Sequence, residues 1–122
     1  MPAYDRFGAA NYVSSHAAAT STGHCAKFVR LAIERGGVVL ARTRDAKDYG
    51  QSLVSAGFYE VVSASPQKGD VVVIQPITNH PAGHMAMFDG QFWVSDFKQY
   101  QGFYPSQEYR AMQPPYKIYR HN

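Results

Sequence analysis

The chain has 122 residues, of which 45% are hydrophobic and 17% charged, with one cysteine and a formal net charge of +3. A chain of this length buries roughly two-thirds of its unfolded surface, so we expect one domain over residues 1–122. A single cysteine excludes an internal disulfide and a zinc site built from four thiolates. The fold must therefore be held together by packing alone.

The distribution of charged and apolar residues excludes further classes of protein. Lys and Arg are scattered as single residues, which predicts surface charge and no nucleic-acid partner. No apolar run approaches the roughly 20 residues of a bilayer span, so we expect no membrane insertion. The start at Met1–Arg6 lacks the features of a secretory signal, so we expect synthesis in the cytoplasm without a signal peptide.

Helical patterns occupy the first part of the chain. A short helix is expected within residues 12–19, which are rich in alanine. The segment Cys25–Arg35 has apolar residues at the spacing of one helix face. Ser21 or Thr22 is the expected N-cap, and Gly36–Gly37 the expected stop.

A second helix and then a series of strands follow. Asp45–Ala56 repeats the helical spacing, with Thr43 as its expected cap. Turn residues at Asp89–Gly90 predict a hairpin. Helices followed by antiparallel strands indicate an α+β fold. The predicted strands are Phe58–Val62, Val71–Ile74, His84–Phe88, Gln91–Phe97 and Tyr116–Tyr119.

Cys25 is placed in the first turn of the most strongly predicted helix. A thiol there lies at the positive end of the helix dipole, which stabilises the thiolate and lowers the thiol pKa. Because the thiolate is the nucleophilic form, this position favours a catalytic cysteine. The alternative is a small buried residue of the core.

A nucleophilic cysteine needs a base that accepts its proton and then protonates the leaving amine. The chain has five histidines. We expect His84 to be the base, because it begins a strand after Gly83 and is held rigidly there. His24 adjoins Cys25 in sequence, but neighbouring helix residues point about 100° apart.

A third group should orient the imidazole, and Asp96 is the candidate. An acidic residue within an apolar strand needs a partner, because burial of an unpaired charge is costly. A two-residue turn at Asp89–Gly90 would place His84 opposite Ser95 and Asp96 on the other sheet face. The triad therefore requires a three-residue loop that includes Gln91, or a bulge.

Metal binding is a rival use of the same residues. His80 and His84 are four residues apart and could join Cys25 or His24 around zinc. The proline and the glycine between them break any helix that would place both on one face. No glycine-rich loop opens a helix as a phosphate cradle does. We therefore expect no metal and no cofactor.

Four segments carry a family resemblance: Ser21–Arg30, Lys68–Val73, Gly83–Gly90 and Trp93–Asp96. In this order they resemble the papain-like bacterial cell-wall hydrolases called CHAP (cysteine, histidine-dependent amidohydrolase/peptidase) and NlpC-type peptidases. The chain looks most like the amidase effectors of type VI secretion. The resemblance implies a papain-like fold with N-terminal helices packed on an antiparallel sheet.

The resemblance also implies an activity, that of a peptidoglycan amidase (endopeptidase) cutting amide bonds in murein stem peptides or crosslinks. Cys25 is then the nucleophile, His84 the base and Asp96 the orienting residue, while backbone N–H groups at the helix start hold the oxyanion. Further candidates for substrate or oxyanion contacts are Gly23, His24 and Tyr12.

An effector of this kind acts in the periplasm or cell wall of a target cell, and it implies a cognate immunity protein in the producing cell. Other functions stay open at this point. The chain could be a prophage lysin domain, a transamidase or a protein-directed cysteine protease. It could also be a non-enzymatic interaction domain in which Cys25 is a core residue.

Overall fold

In a computed structural model, which describes residues 3–62 and 65–122, helices precede most of the strands. The segment Met1–Arg6 was used to predict synthesis without a signal peptide, and its first two residues, Met1 and Pro2, lie outside the described residues. None of the helices in the described ranges combines the length and apolar character needed to cross a bilayer. The helices are α1 (Arg6–His16), α2 (Cys25–Arg35), α3 (Tyr49–Ser55) and α4 (Gln107–Met112). The strands are β1 (Tyr59–Val61), β2 (Val71–Ile74), β3 (His84–Phe88), β4 (Trp93–Val94), β5 (Lys98–Gln99) and β6 (Tyr116–Arg120).

The strands form one six-stranded antiparallel sheet in the order β1-β6-β2-β3-β4-β5. Every residue of Val71–Ile74 is buried, because both faces of the sheet are covered there. Val73 and Met85 pack with α1 and α2 on one face, which we call the helix face. Val72 and Ala86 pack with α4 on the other, which we call the α4 face. This architecture confirms the predicted α+β class.

α1 differs from its predicted start, and α2 differs from its predicted cap. The helix predicted over Cys25–Arg35 is confirmed, but its cap is not: His24 is the N-cap residue and makes no side-chain capping bond. Thr22 bonds elsewhere, as described below. α1 begins earlier than expected because the Asp5 carboxylate accepts the N–H of Gly8 at 2.9 Å and caps the helix.

β2 and β3 have their predicted bounds and β6 is one residue longer than predicted, but several other later elements are shorter. The helix expected over Asp45–Ala56 begins as a 3-10 turn at Ala46–Asp48 and continues as α3. The hydroxyl of Thr43 donates to the carbonyl of Asp45 at 2.9 Å and does not cap the helix. The strand expected over Gln91–Phe97 is only two residues long, because the chain then reverses and returns as β5. β5 and α4 were not predicted.

The hairpin between β3 and β4 has a longer loop than either of the predicted ones. Residues 89–92 form this loop, and the Asp89 carboxylate accepts two N–H groups within it, at 2.8 and 2.7 Å. Compared with a two-residue turn, the residues of β4 that pair with β3 lie two positions further along the chain. The register pairs are Met87 with Val94 and Phe88 with Trp93.

A displacement by two residues leaves every side chain on the face it would otherwise occupy, because side chains alternate with a period of two. Val94 packs with the helices, whereas Trp93 packs on the α4 face. Asp96, two residues beyond Val94, therefore belongs to the helix face. The ring of His84 lies on the α4 face, 6.0 Å from the ring of Tyr109.

A buried ion pair joins the turn before β2 to the end of β6. The Asp70 carboxylate is 1% exposed and accepts bonds from Arg120 Nε at 2.9 Å and Nη2 at 2.8 Å. It also accepts the N–H of Gln67 at 2.9 Å. The pair fixes the central strand against the last one, and with it the sheet from which β3 presents His84.

Replacement of Arg120 by leucine (Arg120→Leu) should lower the free energy of unfolding by about 3 kcal/mol, because it leaves the Asp70 carboxylate buried without a counter-charge. Urea unfolding followed by circular dichroism measures the change. The matched control on the same strand is Lys117→Leu, since Lys117 only meets Glu60 at the surface, at 3.8 Å. That variant should lose less than about 1 kcal/mol. Equal losses in the two variants would contradict the role assigned to Asp70.

Candidate active site

Cys25 and His84 meet in a cleft between the start of α2 and the start of β3. Both line a cavity of about 280 Å³, together with Gly23, Asp96 and Tyr109. The thiol of Cys25 also contacts the backbone of Met85, the residue that follows His84. The sequence prediction that Cys25, His84 and Asp96 lie near one another therefore agrees with the geometry. The hydrogen-bond partners of His84 and Asp96, however, differ from those predicted.

The start of α2 offers backbone donors beside the thiol. Cys25 is the first helical residue, so its own N–H and that of Ala26 have no partner within the helix. Both N–H groups lie against the Cys25 sulfur. Among the described residues, no backbone carbonyl accepts a bond from either of them, and the acceptor beside them is the thiol itself. They are therefore available to an anionic oxygen that forms next to the sulfur.

Gly83 fixes the point at which β3 begins. Its φ is +73°, and a Cβ at this position would lie 2.4 Å from the carbonyl oxygen of Ile74. Any other residue would be strained in conformation and would also collide with β2. His84 then pairs with Ile74 in the sheet and is only 7% exposed. The imidazole is therefore held on a rigid strand end, as the sequence predicts.

The orientation of the imidazole comes from Gln99. The His84 Nε2 lies 2.8 Å from Gln99 Oε1. The side-chain amide nitrogen of Gln99 donates to the carbonyls of Gly102 at 3.1 Å and Phe103 at 2.8 Å, which fixes which end of the amide faces the histidine. Because Oε1 can only accept, Nε2 carries the proton. Nδ1 is then the unprotonated nitrogen, free to accept one.

Asp96 does not orient His84, which corrects the sequence prediction. Its Oδ2 accepts the N–H and, at 2.9 Å, the hydroxyl of Thr22, and the N–H of His24 at 3.4 Å. No hydrogen bond joins Asp96 to His84 in the described part of the chain. The physical reason is the sheet alternation, which places Asp96 on the helix face. There it holds the segment that leads into Cys25.

Gln99 was missed because its position depends on a chain reversal. β5 returns beside β4 and pairs Gln99 with Trp93, whose side chain lies on the α4 face with the His84 ring. The alternation of side chains that places Asp96 on the helix face therefore places Gln99 on the α4 face, beside His84. A two-residue strand has no readable periodicity, so no sequence pattern signals this contact.

Burial determines the protonation states in the cleft. It raises the pKa of the Cys25 thiol to about 11, although the Met85 backbone bond opposes the rise. Burial also lowers the pKa of His84, and the Gln99 bond and the Asp96 charge only partly oppose this. At neutral pH the pair is therefore a thiol beside a neutral imidazole. The prediction that the helix start lowers the pKa of Cys25 is wrong, because the rise in pKa caused by desolvation is larger than the lowering caused by the helix N-terminus.

The carboxylate of Asp96 remains charged. Burial alone would raise its pKa, but the two bonds from Thr22 bring the pKa below its ordinary value. Its other oxygen, Oδ1, is buried and has no hydrogen-bond partner among the described residues. A fixed negative charge thus lies near the cysteine and the histidine, where it favours an imidazolium and opposes a thiolate.

The three further candidates lie in two different places. Gly23 and His24 line a second cavity of about 260 Å³ on the other side of Cys25. Tyr12 lies on α1, where its ring stacks on that of His16 at a centroid distance of 3.9 Å. It lines neither cavity, so the structure does not place it at the cleft.

Replacement of Gln99 by methionine (Gln99→Met) keeps the side-chain volume but removes the acceptor. The pKa of His84 should then fall further below its ordinary value, because the Gln99 bond favours the protonated ring. An NMR titration of the His84 ring carbon signal measures this change. Gln91→Met, in the exposed hairpin loop, should leave the titration unchanged. A His84 pKa that does not move in Gln99→Met would show that the bond is not made in solution.

The raised pKa of Cys25 predicts slow alkylation by iodoacetamide at neutral pH. The rate should rise about tenfold per pH unit and still be rising above about pH 9, because only the thiolate reacts. The urea-denatured protein is the control, and its rate should level off near the ordinary thiol pKa of about 8.5. Fast labelling of the folded protein at pH 7 would contradict the buried thiol.

Comparison with known proteins places this cleft in a family. No protein-family model matches the chain, and no curated protein matches it. Solved structures do: the chain is 56% identical to a protein in the type VI native effector–immunity complex Tae3–Tai3 from Ralstonia pickettii, over 98% of this chain and 100% of that chain, with a TM-score of 0.95. The chain is 57% identical to a protein in the selenomethionine form of that complex, over 93% of this chain and 99% of that chain, with a TM-score of 0.90.

A more distant structure, that of Ly7917, is 17% identical over 93% of this chain and 60% of that chain, with a TM-score of 0.52, and shows likeness of fold alone. The match to the Tae3 effector confirms the papain-like α+β fold and the resemblance to type VI effectors. The chain belongs to the Tae3 family of type VI secretion effectors.

Proposed function

We propose that this protein is an antibacterial effector that acts as a cysteine-dependent peptidoglycan amidase, an endopeptidase hydrolysing amide bonds in murein stem peptides or crosslinks. One observation carries the proposal. Cys25 and His84, with its unprotonated Nδ1, line one cavity, and the backbone N–H donors beside the Cys25 sulfur bond to no carbonyl among the described residues. These are a base, a nucleophile and an oxyanion site.

The first chemical step begins from the neutral pair. The Cys25 sulfur attacks the carbonyl carbon of the scissile amide while its proton passes to Nδ1 of His84. The carbonyl oxygen becomes an oxyanion, and the N–H groups of Cys25 and Ala26 stabilise it. Gln99 keeps the ring oriented because its Oε1 accepts a hydrogen bond from Nε2–H throughout. The Asp96 charge favours the imidazolium that forms.

In the second step the imidazolium of His84 protonates the leaving amine, the carbon–nitrogen bond breaks, and a thioester to Cys25 remains. Water then attacks this thioester, with His84 accepting a proton from the water and returning it to the sulfur. The products are a carboxylic acid and an amine. Each proton that His84 accepts is thus released within the cycle.

Asp96 acts on this chemistry as a positioning residue. Its carboxylate ties Thr22 and His24 to the sheet, and the carbonyl of Asp96 accepts the N–H of Ala18 at 2.7 Å. The segment before α2 is thereby held where it brings the first helical N–H groups to the cleft. We expect its loss to affect the oxyanion site more than the ionisation of the base.

Family membership also supports a partner and a site of action. The similar Tae3 structures are complexes with the immunity protein Tai3, so we infer that a cognate immunity protein binds this chain in the producing cell. We further propose that the enzyme acts in the periplasm or cell wall of a target cell, where murein is found. Membership in an effector family favours this interpretation over a prophage lysin domain.

Digestion of purified sacculi tests the activity, with the released muropeptides separated by liquid chromatography. The wild-type protein should cut stem peptides or crosslinks, and Cys25→Ala and His84→Ala should each lower the rate by at least about 10³-fold. His16→Gln, which removes an exposed histidine of α1, is the matched control and should retain activity.

Other results of this experiment identify other functions. Full activity of Cys25→Ala would exclude covalent catalysis by the thiol. Incorporation of an added amine in place of hydrolysis would identify a transamidase. Cleavage of a protein with murein left intact would identify a protein-directed protease. A folded wild-type protein that acts on neither murein nor protein would support a non-enzymatic interaction domain.

A further inference from the structure

The cleft does not end at the cysteine. The second cavity, of about 260 Å³, extends from Cys25 on the side away from His84. Cys25, Gly23 and Ala82 line both cavities, whereas His84 lines only the first. The nucleophile therefore lies at the junction of two subsites. An extended substrate that reaches the sulfur would have a part in each of them.

The second cavity is strongly basic. Lys27, Arg42 and Arg44 line it, and none of these three exposed side chains makes an ion pair with a described residue. Arg30 also lines it, but Arg30 pairs with Glu34 at 3.0 Å. No aspartate or glutamate is among the residues that line this cavity. Three uncompensated cations thus face one concave surface beside the nucleophile.

The first cavity has a different character. Phe97, Pro105 and Tyr109 contribute to its wall, and its titratable residues besides Cys25 and Tyr109 are His80, His84 and Asp96. His80 Nε2 lies 3.4 Å from Oε1 of Glu108, so a negative charge faces this imidazole. The two halves of the cleft therefore differ in the chemistry that they present to a substrate.

The direction of the substrate follows from the proposed mechanism, on which this inference rests. His84 must reach the leaving nitrogen to protonate it, so the amine half of the substrate occupies the cavity that contains His84. The acyl half, which stays attached to the sulfur, then extends into the basic cavity. The acyl donor is the half that meets Lys27, Arg42 and Arg44.

We propose that the basic cavity is a carboxylate-binding subsite, and that the protein selects peptides whose acyl half carries a free carboxylate near the scissile carbonyl. Arg42 and Arg44 are the principal contacts, because a guanidinium binds a carboxylate through paired N–H donors. Lys27, on the first turn of α2, adds a third positive charge. These cations also attract an anionic substrate to the cleft, and added salt weakens the attraction.

Binding tests this subsite without requiring hydrolysis. The probe is a crosslinked muropeptide dimer from Gram-negative sacculi, used as isolated and after amidation of its carboxylates. Titration calorimetry measures Kd in the Cys25→Ala background. The double variant Arg42→Gln/Arg44→Gln should bind the native dimer about tenfold more weakly than Cys25→Ala alone. Amidation should cause a similar loss, and the two losses should not add.

The matched control is Arg35→Gln/Lys68→Gln, which removes the same number of charges from surfaces away from both cavities. It should bind the native dimer as Cys25→Ala does. Three results would overturn the carboxylate subsite. These are equal binding of native and amidated dimers, losses that add fully, and an equal loss in the control variant. Absence of binding to either dimer would also overturn it.

Hydrolysis of the same dimer separates failure of this inference from failure of the proposed function. In the protein that retains Cys25, Arg42→Gln/Arg44→Gln should raise KM about tenfold with kcat little changed, because the lost contact is present in both ground and transition states. Unchanged KM with active wild-type enzyme would overturn the subsite alone. Binding that depends on the carboxylate, without any hydrolysis, would overturn the amidase and retain the subsite.

Discussion

The alternation of side chains across the sheet is the constraint on which the candidate active site depends. β3 starts with His84 on the α4 face, and the loop at residues 89–92 displaces β4 by an even number of residues. Asp96 is therefore assigned to the helix face and Gln99 to the face of the histidine. No adjustment of side-chain rotamers exchanges these two roles, because each is set by the parity of a strand position.

Burial determines how the site is charged. The cleft is formed where a helix start packs on a strand start, and this packing removes much of the water from around the half-buried Cys25 and the buried His84. Desolvation then favours the neutral form of each, against the helix N-terminus that would favour a thiolate. The proposed reaction accordingly begins with proton transfer and not with a preformed ion pair. Asp96, which stays ionised, is the fixed charge that assists this transfer.

The cleft also links two kinds of recognition to one cysteine. On one side the sheet supplies His84, the proposed base, and its orienting amide, and on the other a helix and the segment before α3 supply three cations. Asp96 connects the two, since it binds the segment that contains Thr22 and His24 and lies between the cavities. In the proposed mechanism, the position of Cys25 at this junction gives the substrate a direction, with the acyl half on the basic side.

Much of the site could be predicted where the signal is local. The helix at Cys25–Arg35 and the strand that starts at His84 each depend on periodicity and on adjacent glycines, so the proposed nucleophile and base could be singled out from the sequence. Gly83 is informative because its conformation and its contact with Ile74 both require glycine. The predicted N-cap of α2 and the predicted low pKa of Cys25 were wrong, because each depends on what packs against the helix start.

The sequence by itself determined the fold class, the cysteine–histidine pair and the order of the segments that carry the family resemblance. Only the tertiary structure decided which residue orients the imidazole, because Gln99 reaches His84 through a reversal between two-residue strands that leaves no periodic pattern. Only the tertiary structure brought Arg42 and Arg44 beside Cys25, since residues that are scattered along a chain become one charged surface when distant segments pack together.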